Sequence, residues 1–206
     1  MLLKSNYFKN FLISLGYLIL FSIQIVYSQN NWHYSTDKND LRQMYMEQSI
    51  KVFGQACTGQ LRFICTQDDK NYPDDISGAL SMEFTIYPVS KIKNFNYMGF
   101  QESEYPAKNK DLIKITLINN KKRTEFKAPL GSWWNGYIKD AFTFGYSTLT
   151  KDKSGNMRKI LDQILSGAQT IEITVYNKTD QQKFITASFP LASGKKQFQA
   201  LMKGIK

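Results

Sequence analysis

The side chains that could carry acid–base or metal chemistry are concentrated in one polar loop. Residues 67–77 (QDDKNYPDDIS) contain four carboxylates, those of Asp68, Asp69, Asp74 and Asp75. Four carboxylates in one loop could hold calcium, which takes roughly six to eight oxygen ligands. Their spacing does not match the D-x-D-x-D-G pattern, and the intervening lysine competes for the charge. The pattern therefore favours a solvated acidic loop, and the sequence predicts no metal site.

Two further carboxylates lie on predicted strands. Glu83 (SMEFTIYPV) and Glu172 (TIEITVY) could join the acidic loop in the hydrolysis of a polymer, which needs one acid in an apolar pocket. Both glutamates occupy the polar phase of their strands, so the pattern predicts that they face solvent. His33 is the only histidine, and histidine-dependent catalysis or zinc binding needs more partners. The sequence therefore predicts no enzyme and no cofactor, with a carboxylate-dependent hydrolase as the alternative.

Large rings are the best candidates for surface recognition. Trp133, Trp134 and Tyr137 lie within five residues of one another. Adjacent residues of a strand point to opposite faces, so one tryptophan can be buried while the other is exposed. An exposed tryptophan often anchors a ligand or an interface. The alternative is one ring in the core and one that covers a loop.

A second segment interleaves lysines with rings. Residues 91–100 (KIKNFNYMGF) contain Lys91, Lys93, Phe95 and Tyr97. This composition is typical of a surface that binds a polyanion or lipid headgroups. An amphipathic edge strand explains the same pattern equally well.

The N-terminus has the pattern of a secretory signal. Lys4 and Lys9 provide positive charge around the start of an apolar run at residues 11–26. Ser28 is a small residue at the predicted cleavage position. Because the run approaches the length of a membrane-spanning helix, an uncleaved N-terminal anchor is the alternative.

Cleavage would leave one exported β-rich domain at residues 29–206, periplasmic or secreted, after a signal peptide at 1–28. Loss of the two signal lysines lowers the net charge from +10 to +8. A basic exported surface is either simply solvated or attracts an anionic partner, such as lipid headgroups or lipopolysaccharide. Export argues against nucleic acid, while a peripheral membrane contact fits the composition.

Export also bears on the two cysteines, Cys57 and Cys65. Two cysteines in an exported chain usually pair, so the sequence predicts a disulfide between them. If residues 60–65 form a straight strand, Cys57 must double back at Thr58 and Gly59 to bring the two Cα atoms within about 7 Å.

Periodicity predicts mostly short strands joined by turns. Alternation predicts strands, and apolar spacing near residues 157–165 predicts a helix that ends at Gly167. A final short helix is expected after Ser193, which can cap it. This is the pattern of a mainly β chain, an antiparallel β-sandwich or barrel-like domain with two short helices near the C-terminus. The remaining predicted elements are strands at 44–53, 61–64, 80–89, 92–97, 111–118, 123–127, 170–176 and 183–189, and a turn at 131–136.

The order of the C-terminal elements resembles a known group of proteins. The chain reads ILDQILSGAQTIEITVYN, KFITASFPLASG and KKQFQALM, and earlier it has Trp32, Asp40 and the segment LRFIC. In this order it resembles small exported β-sandwich proteins of the invasion-associated locus B type, and is similar to periplasmic accessory proteins of type VI secretion clusters. Locus B proteins usually have more cysteines than this chain.

The resemblance implies a non-catalytic envelope protein that acts through binding. The expected function is therefore to bind a partner protein or an anionic envelope component, in an accessory or virulence-type role. The alternatives are the hydrolase of an envelope polymer and a periplasmic immunity or inhibitor protein.

Overall fold

The described strands form two antiparallel sheets, and apolar and polar side chains alternate along most of them. The computed structural model describes residues 31–36, 41–65, 80–103, 108, 110–147 and 156–203. The predicted signal at 1–28 and the acidic loop lie outside these residues. The described elements are β1 (His33–Thr36), β2 (Arg42–Val52), β3 (Gln55–Cys65), β4 (Leu80–Tyr87), β5 (Ile113–Asn119), β6 (Lys122–Ala128), β7 (Gly131–Trp134), β8 (Phe142–Ser147), α1 (Asn156–Leu165), β9 (Thr170–Tyr176), β10 (Phe184–Pro190) and α2 (Lys195–Leu201).

The sheets pack face to face. One has six strands in the order β1-β2-β3-β4-β8-β7, and the other has four in the order β10-β9-β5-β6. Phe84 of β4 meets Phe189 of β10 with the ring centroids 6.0 Å apart, so the space between the sheets is apolar. The side chain of Gln48 on β2 donates a hydrogen bond to the carbonyl of Ser188 on β10. The prediction of a mainly β, antiparallel sandwich with two short C-terminal helices is confirmed.

The helices lie at one end of the sandwich, called here the helix end, where β2 begins and β3 ends. Buried side chains of α1 include Ile160 and Leu161, and α2 buries Phe198 and Leu201. The spacing of these residues places them on one face of each helix, which covers apolar strand ends. Arg42, at the start of β2, donates to the carbonyl of Leu201 over 3.3 Å and so holds the end of α2.

Trp32 connects the first described residues to the helix end. Its ring lies 5.9 Å from that of Phe63 and 5.1 Å from that of Phe198, and its indole N–H donates to the carbonyl of Pro190 over 2.9 Å. A Cβ atom on Gly194 would lie 2.4 Å from the Trp32 ring, so glycine is required for this packing. Gly194 rather than the predicted Ser193 occupies the position before α2.

The predicted disulfide is wrong. Cys57 and Cys65 lie on the same strand, β3, and both are buried thiols. Eight residues of straight strand separate their Cα atoms by roughly 26 Å, far beyond the reach of a disulfide. The chain reverses before β3, at Phe53 and Gly54, whose φ angles are 49° and 80°.

Both thiols are expected to resist alkylation in the folded protein at neutral pH and to react after unfolding. Burial raises the pKa of Cys65 to about 11, although the nearby charge of Arg42 lowers it, and burial also raises the pKa of Cys57. The folded thiols hold their protons more tightly than the unfolded ones. The free energy of unfolding should therefore be unaffected by these groups below pH 9 and fall as the pH rises from 9 towards 11.

Urea unfolding between pH 7 and pH 11, with alkylation followed by mass spectrometry, measures both effects. A Cys65→Ala variant should show less loss of stability over this pH range. Modification of the native protein by a thiol reagent at pH 7 as fast as that of the urea-unfolded chain would contradict the buried assignment.

Two other predicted elements differ from the structure. Residues 92–97 do not form a strand: the chain follows β4 with short 3-10 turns at Val89–Lys91 and Tyr97–Gly99. Pro88 cannot donate to a strand ladder, and the side chain of Asn96 accepts from the backbone of Met98, which favours a turn. Conversely, the predicted turn at 131–136 begins as strand β7, which pairs with β8.

Candidate binding surface

The two ring-containing segments that the sequence singles out meet at the opposite end of the sandwich, called here the loop end. It is the end at which β2 turns into β3. The rings of Tyr97 and Trp134 lie 5.5 Å apart in an edge contact. Trp134 also contacts Phe142, its partner on β8, over 5.2 Å. One predicted tryptophan and one predicted tyrosine therefore belong to a single surface.

A row of ring contacts connects this surface to the core. Phe142 is buried and lies 6.0 Å from Phe95, which stacks on Phe100 at 5.8 Å. Phe100 in turn lies 6.2 Å from Phe53, at the tip of the β2–β3 turn. Trp134 is therefore supported from below by buried rings.

Four of the exposed large side chains at this end lie on or beside the contacting rings. They are Phe53, Tyr97, Met98 and Trp134, which we call the aromatic surface. Met98 is 57% exposed and Trp134 is 52% exposed. Phe53 and Met98 were not among the predicted site residues. The sequence signal for Phe53 is the glycine that follows it, which favours a turn at the end of the predicted strand 44–53, and Met98 lies inside the predicted segment 91–100.

Hydrogen bonds hold the segment that carries Tyr97 at two places. The side chain of Gln55 accepts from the backbone N–H of Lys93 over 2.8 Å and donates to its carbonyl over 3.3 Å. The carboxylate of Asp140 accepts from the backbone N–H of Ser90 over 3.1 Å and from its hydroxyl. The carbonyl of Asp140 accepts from Val89 over 2.8 Å. These contacts tie the segment to the β2–β3 turn and to the β7–β8 loop.

A third contact joins the same segment to the β9–β10 turn. The backbone N–H of Lys178 donates to the carbonyl of Gly99 over 2.8 Å. A Cβ atom on Gly99 would lie 2.0 Å from the side-chain nitrogen of Asn177, so only glycine fits here. Asn177 is itself buried, and its side-chain oxygen accepts from the backbone of Thr179 and Asp180. The aromatic surface therefore rests on a fixed frame.

The charge beside the aromatic surface is positive. Lys91 and Lys93 are exposed on the segment that leads to Tyr97, and Lys139 is exposed in the β7–β8 loop. Two acids of this end are already engaged: Asp140 accepts from Ser90, and Asp180 forms an ion pair with Lys183 at 3.2 Å. None of the three lysines forms an ion pair with another described residue, so they are available for an anionic ligand.

A groove of about 360 Å³ lies beside Lys91. Its lining includes Lys91, Pro88, Glu47 and Thr58. Burial, a hydrogen bond to Glu47 and the charge of that carboxylate raise the pKa of Tyr87 well above its ordinary value. Tyr87 therefore stays protonated throughout the physiological range, as a neutral neighbour of the groove.

Trp133 points to the other side of β7. It is 43% exposed, and its ring lies so close over Gly145 that a Cβ atom there would be 2.4 Å away. Its register partner Thr143 is buried and accepts a hydrogen bond from Asn135 over 3.0 Å. Adjacent tryptophans thus lie on opposite faces, as predicted for a strand, but neither ring is buried.

Tyr137 is 94% exposed in the loop that follows Trp134. Its backbone N–H donates to the side chain of Asn135 over 2.9 Å, so the loop is turned by an asparagine. The structure places Tyr137 at the loop end, in the loop that joins β7 to β8.

The predicted carboxylates are separated. Glu83 lies on the outer face of the six-stranded sheet in an ion pair with Arg62. Glu172 lies on the outer face of the four-stranded sheet, 2.8 Å from Arg123. His33 is exposed and stacks on Tyr45 at 5.0 Å. The structure does not bring these groups together. Asp68, Asp69, Asp74 and Asp75 lie outside the described residues.

The fold and this surface define a β-sandwich-like domain with a rigid aromatic surface at one end. No family model, curated protein or solved structure matches the chain. Neither α-helix in the described residues is long and apolar enough to cross a membrane.

Proposed function

We propose that the protein is an exported, non-enzymatic binding protein of the cell envelope that holds an anionic component at its loop end. The observation that carries the proposal is the edge contact between Tyr97 and Trp134, with Lys91 and Lys93 exposed beside it. Two segments distant in the chain build one surface that is both apolar and basic.

The frame beneath the surface supports binding rather than a structural role alone. Gln55, Asp140 and Lys178 each hold the same segment, so its backbone is ordered before any ligand arrives. Preorganised groups lose little conformational entropy on binding. The resemblance to locus B proteins has the same implication and stays a prediction.

The double variant Lys91→Gln/Lys93→Gln is expected to weaken binding to an anionic partner about 25-fold, because each lysine near an anionic surface contributes on the order of 1 kcal/mol. Two probes suit the test: vesicles containing phosphatidylglycerol, and heparin. The chain from Gln29 to Lys206 contains every described element and leaves out the apolar run at 11–26. Sedimentation of vesicles and salt-dependent elution from heparin provide the readouts.

The matched control is Lys121→Gln/Lys122→Gln, which removes the same charge from the β5–β6 turn at the helix end. This control should retain most of the affinity. Equal losses in both double variants would show that net charge alone drives binding. An absence of binding to both probes, or turnover of a polysaccharide or peptidoglycan by the purified chain, would contradict the proposed function.

A further inference from the structure

Resting on the proposed function, we infer that the anionic component is the surface of a lipid bilayer, and that Trp134, Tyr97 and Met98 enter its interface. The occupant of the aromatic surface is then a membrane containing anionic lipids. The lysines contact the headgroups while the rings lie at the boundary with the acyl chains.

The composition of the aromatic surface favours a bilayer over a soluble polyanion. A polyanion chain would pair with the charges of Lys91 and Lys93, but it offers no apolar phase to Met98. More than half of the Met98 surface is exposed. Tryptophan and tyrosine have an apolar body and a polar tip, the combination that is enriched at membrane interfaces. Exposed methionine and rings beside lysines therefore match the two layers of a bilayer surface.

The position of the surface also fits an extended flat partner. Phe53, Tyr97 and Trp134 lie at an end of the sandwich, on turns and at a strand terminus. A flat partner can contact an end of a sandwich without either sheet moving. Lysines next to such a plane can extend their alkyl stems along the apolar side chains while their ammonium groups stay at the headgroups.

Attachment to the bilayer needs both the lysine charges and the insertion of apolar side chains. Neutralising one lysine should weaken binding about fivefold, and removing one inserted ring should weaken it about tenfold. Neither contribution alone anchors a protein firmly, because stable peripheral attachment generally requires two signals. We therefore expect that loss of the lysines, or loss of the inserted rings, releases the protein from vesicles.

The tryptophan pair provides a matched test of insertion. Trp133→Phe leaves Trp134 as the exposed tryptophan at the loop end, while Trp134→Phe leaves Trp133 on the outer face of the sheet. Trp32 is buried and is common to both variants, so its emission is a constant background. The probe is a vesicle of phosphatidylglycerol and phosphatidylcholine with brominated acyl chains, which quench nearby indoles.

Strong quenching is expected in Trp133→Phe, together with a blue shift of emission, and little quenching in Trp134→Phe. Trp134→Ala should lower vesicle affinity about tenfold, whereas Trp133→Phe should change it less than about twofold. Vesicles of phosphatidylcholine alone should bind much more weakly.

The outcomes separate this inference from the proposed function. Lysine-dependent binding to heparin without binding to vesicles would overturn the bilayer inference and leave the proposed function standing. Vesicle binding with equal quenching in Trp133→Phe and Trp134→Phe, or with no quenching in either variant, would also overturn the bilayer inference and leave the proposed function standing. Equal affinity for neutral vesicles would overturn the role of anionic lipid, and failure to bind either probe would overturn both proposals.

Discussion

Replacing Phe142 with alanine is expected to lower the free energy of unfolding by about 4 kcal/mol and to weaken vesicle binding about tenfold, as loss of Trp134 itself would. Large cavities left by buried aromatic side chains cost about 3–5 kcal/mol. Phe142 is buried and contacts the rings of Phe95, Phe144 and Trp134. Its loss removes the support beneath Trp134 as well as core volume. Urea unfolding measures the stability, and near-ultraviolet circular dichroism reports the ordering of the tryptophan.

Phe184→Ala is the matched control for this change. Phe184 is also an aromatic side chain at the loop end, but it is 47% exposed and contacts Tyr176 on the outer face of the four-stranded sheet. Its truncation should cost no more than about 1 kcal/mol and should leave binding intact. A folded Phe142→Ala protein that binds vesicles with unchanged affinity would show that the buried ring does not support the surface.

Substitution of Gly99 by alanine is expected to cost about 2 kcal/mol and to displace the segment that carries Tyr97 and Met98. Overpacking of a tight site typically costs about 1–3 kcal/mol. The new Cβ atom would lie 2.0 Å from the side-chain nitrogen of Asn177, which cannot move freely because its oxygen accepts from Thr179 and Asp180. Displacement of Gly99 also disturbs its bond with Lys178. The loss of vesicle affinity should therefore exceed the loss of stability when both are expressed as free energies.

Gly136→Ala tests whether this effect is specific. Gly136 lies in the β7–β8 loop of the same end, and a Cβ atom there would meet nothing within 4 Å. The change should leave stability and affinity almost unaltered. If Gly99→Ala keeps wild-type affinity and stability, the contact with Asn177 does not fix the segment.

Local patterns predict most strands because burial on one face imposes a period of two. Met44, Met46, Ile50 and Val52 alternate in the sequence and are buried on β2. The β5–β6 and β9–β10 hairpins follow in the same way from alternation around polar turns. These elements need only neighbouring residues for their prediction.

Three described strands, β1, β7 and β8, were not predicted from the sequence, and β7 shows why a strand can depend on its partner. The segment of β7 reads GSWW, and two small residues and two large rings give no alternation. Its strand conformation comes from pairing with β8, in which Trp134 lies opposite Phe142 and Trp133 opposite Thr143. Cross-strand contacts of this kind are absent from any local window of the chain.

The disulfide prediction failed for a related reason. Export and an even number of cysteines favour pairing, but only the register of the sheet shows that Cys57 and Cys65 share one straight strand. The turn at Phe53 and Gly54 immediately precedes β3, so the chain between the cysteines does not reverse.

Local sequence was enough to predict the alternating strands, the basic charge and the two segments in which lysines and rings are concentrated. These properties depend on composition and short-range periodicity. Tertiary contacts bring Tyr97 against Trp134, turn Trp133 away from them and add Phe53 and Met98 to the surface. These contacts could not be predicted locally, because the surface forms where hydrogen bonds of Gln55, Asp140 and Lys178 hold one segment against the ends of other strands, across dozens of residues along the chain.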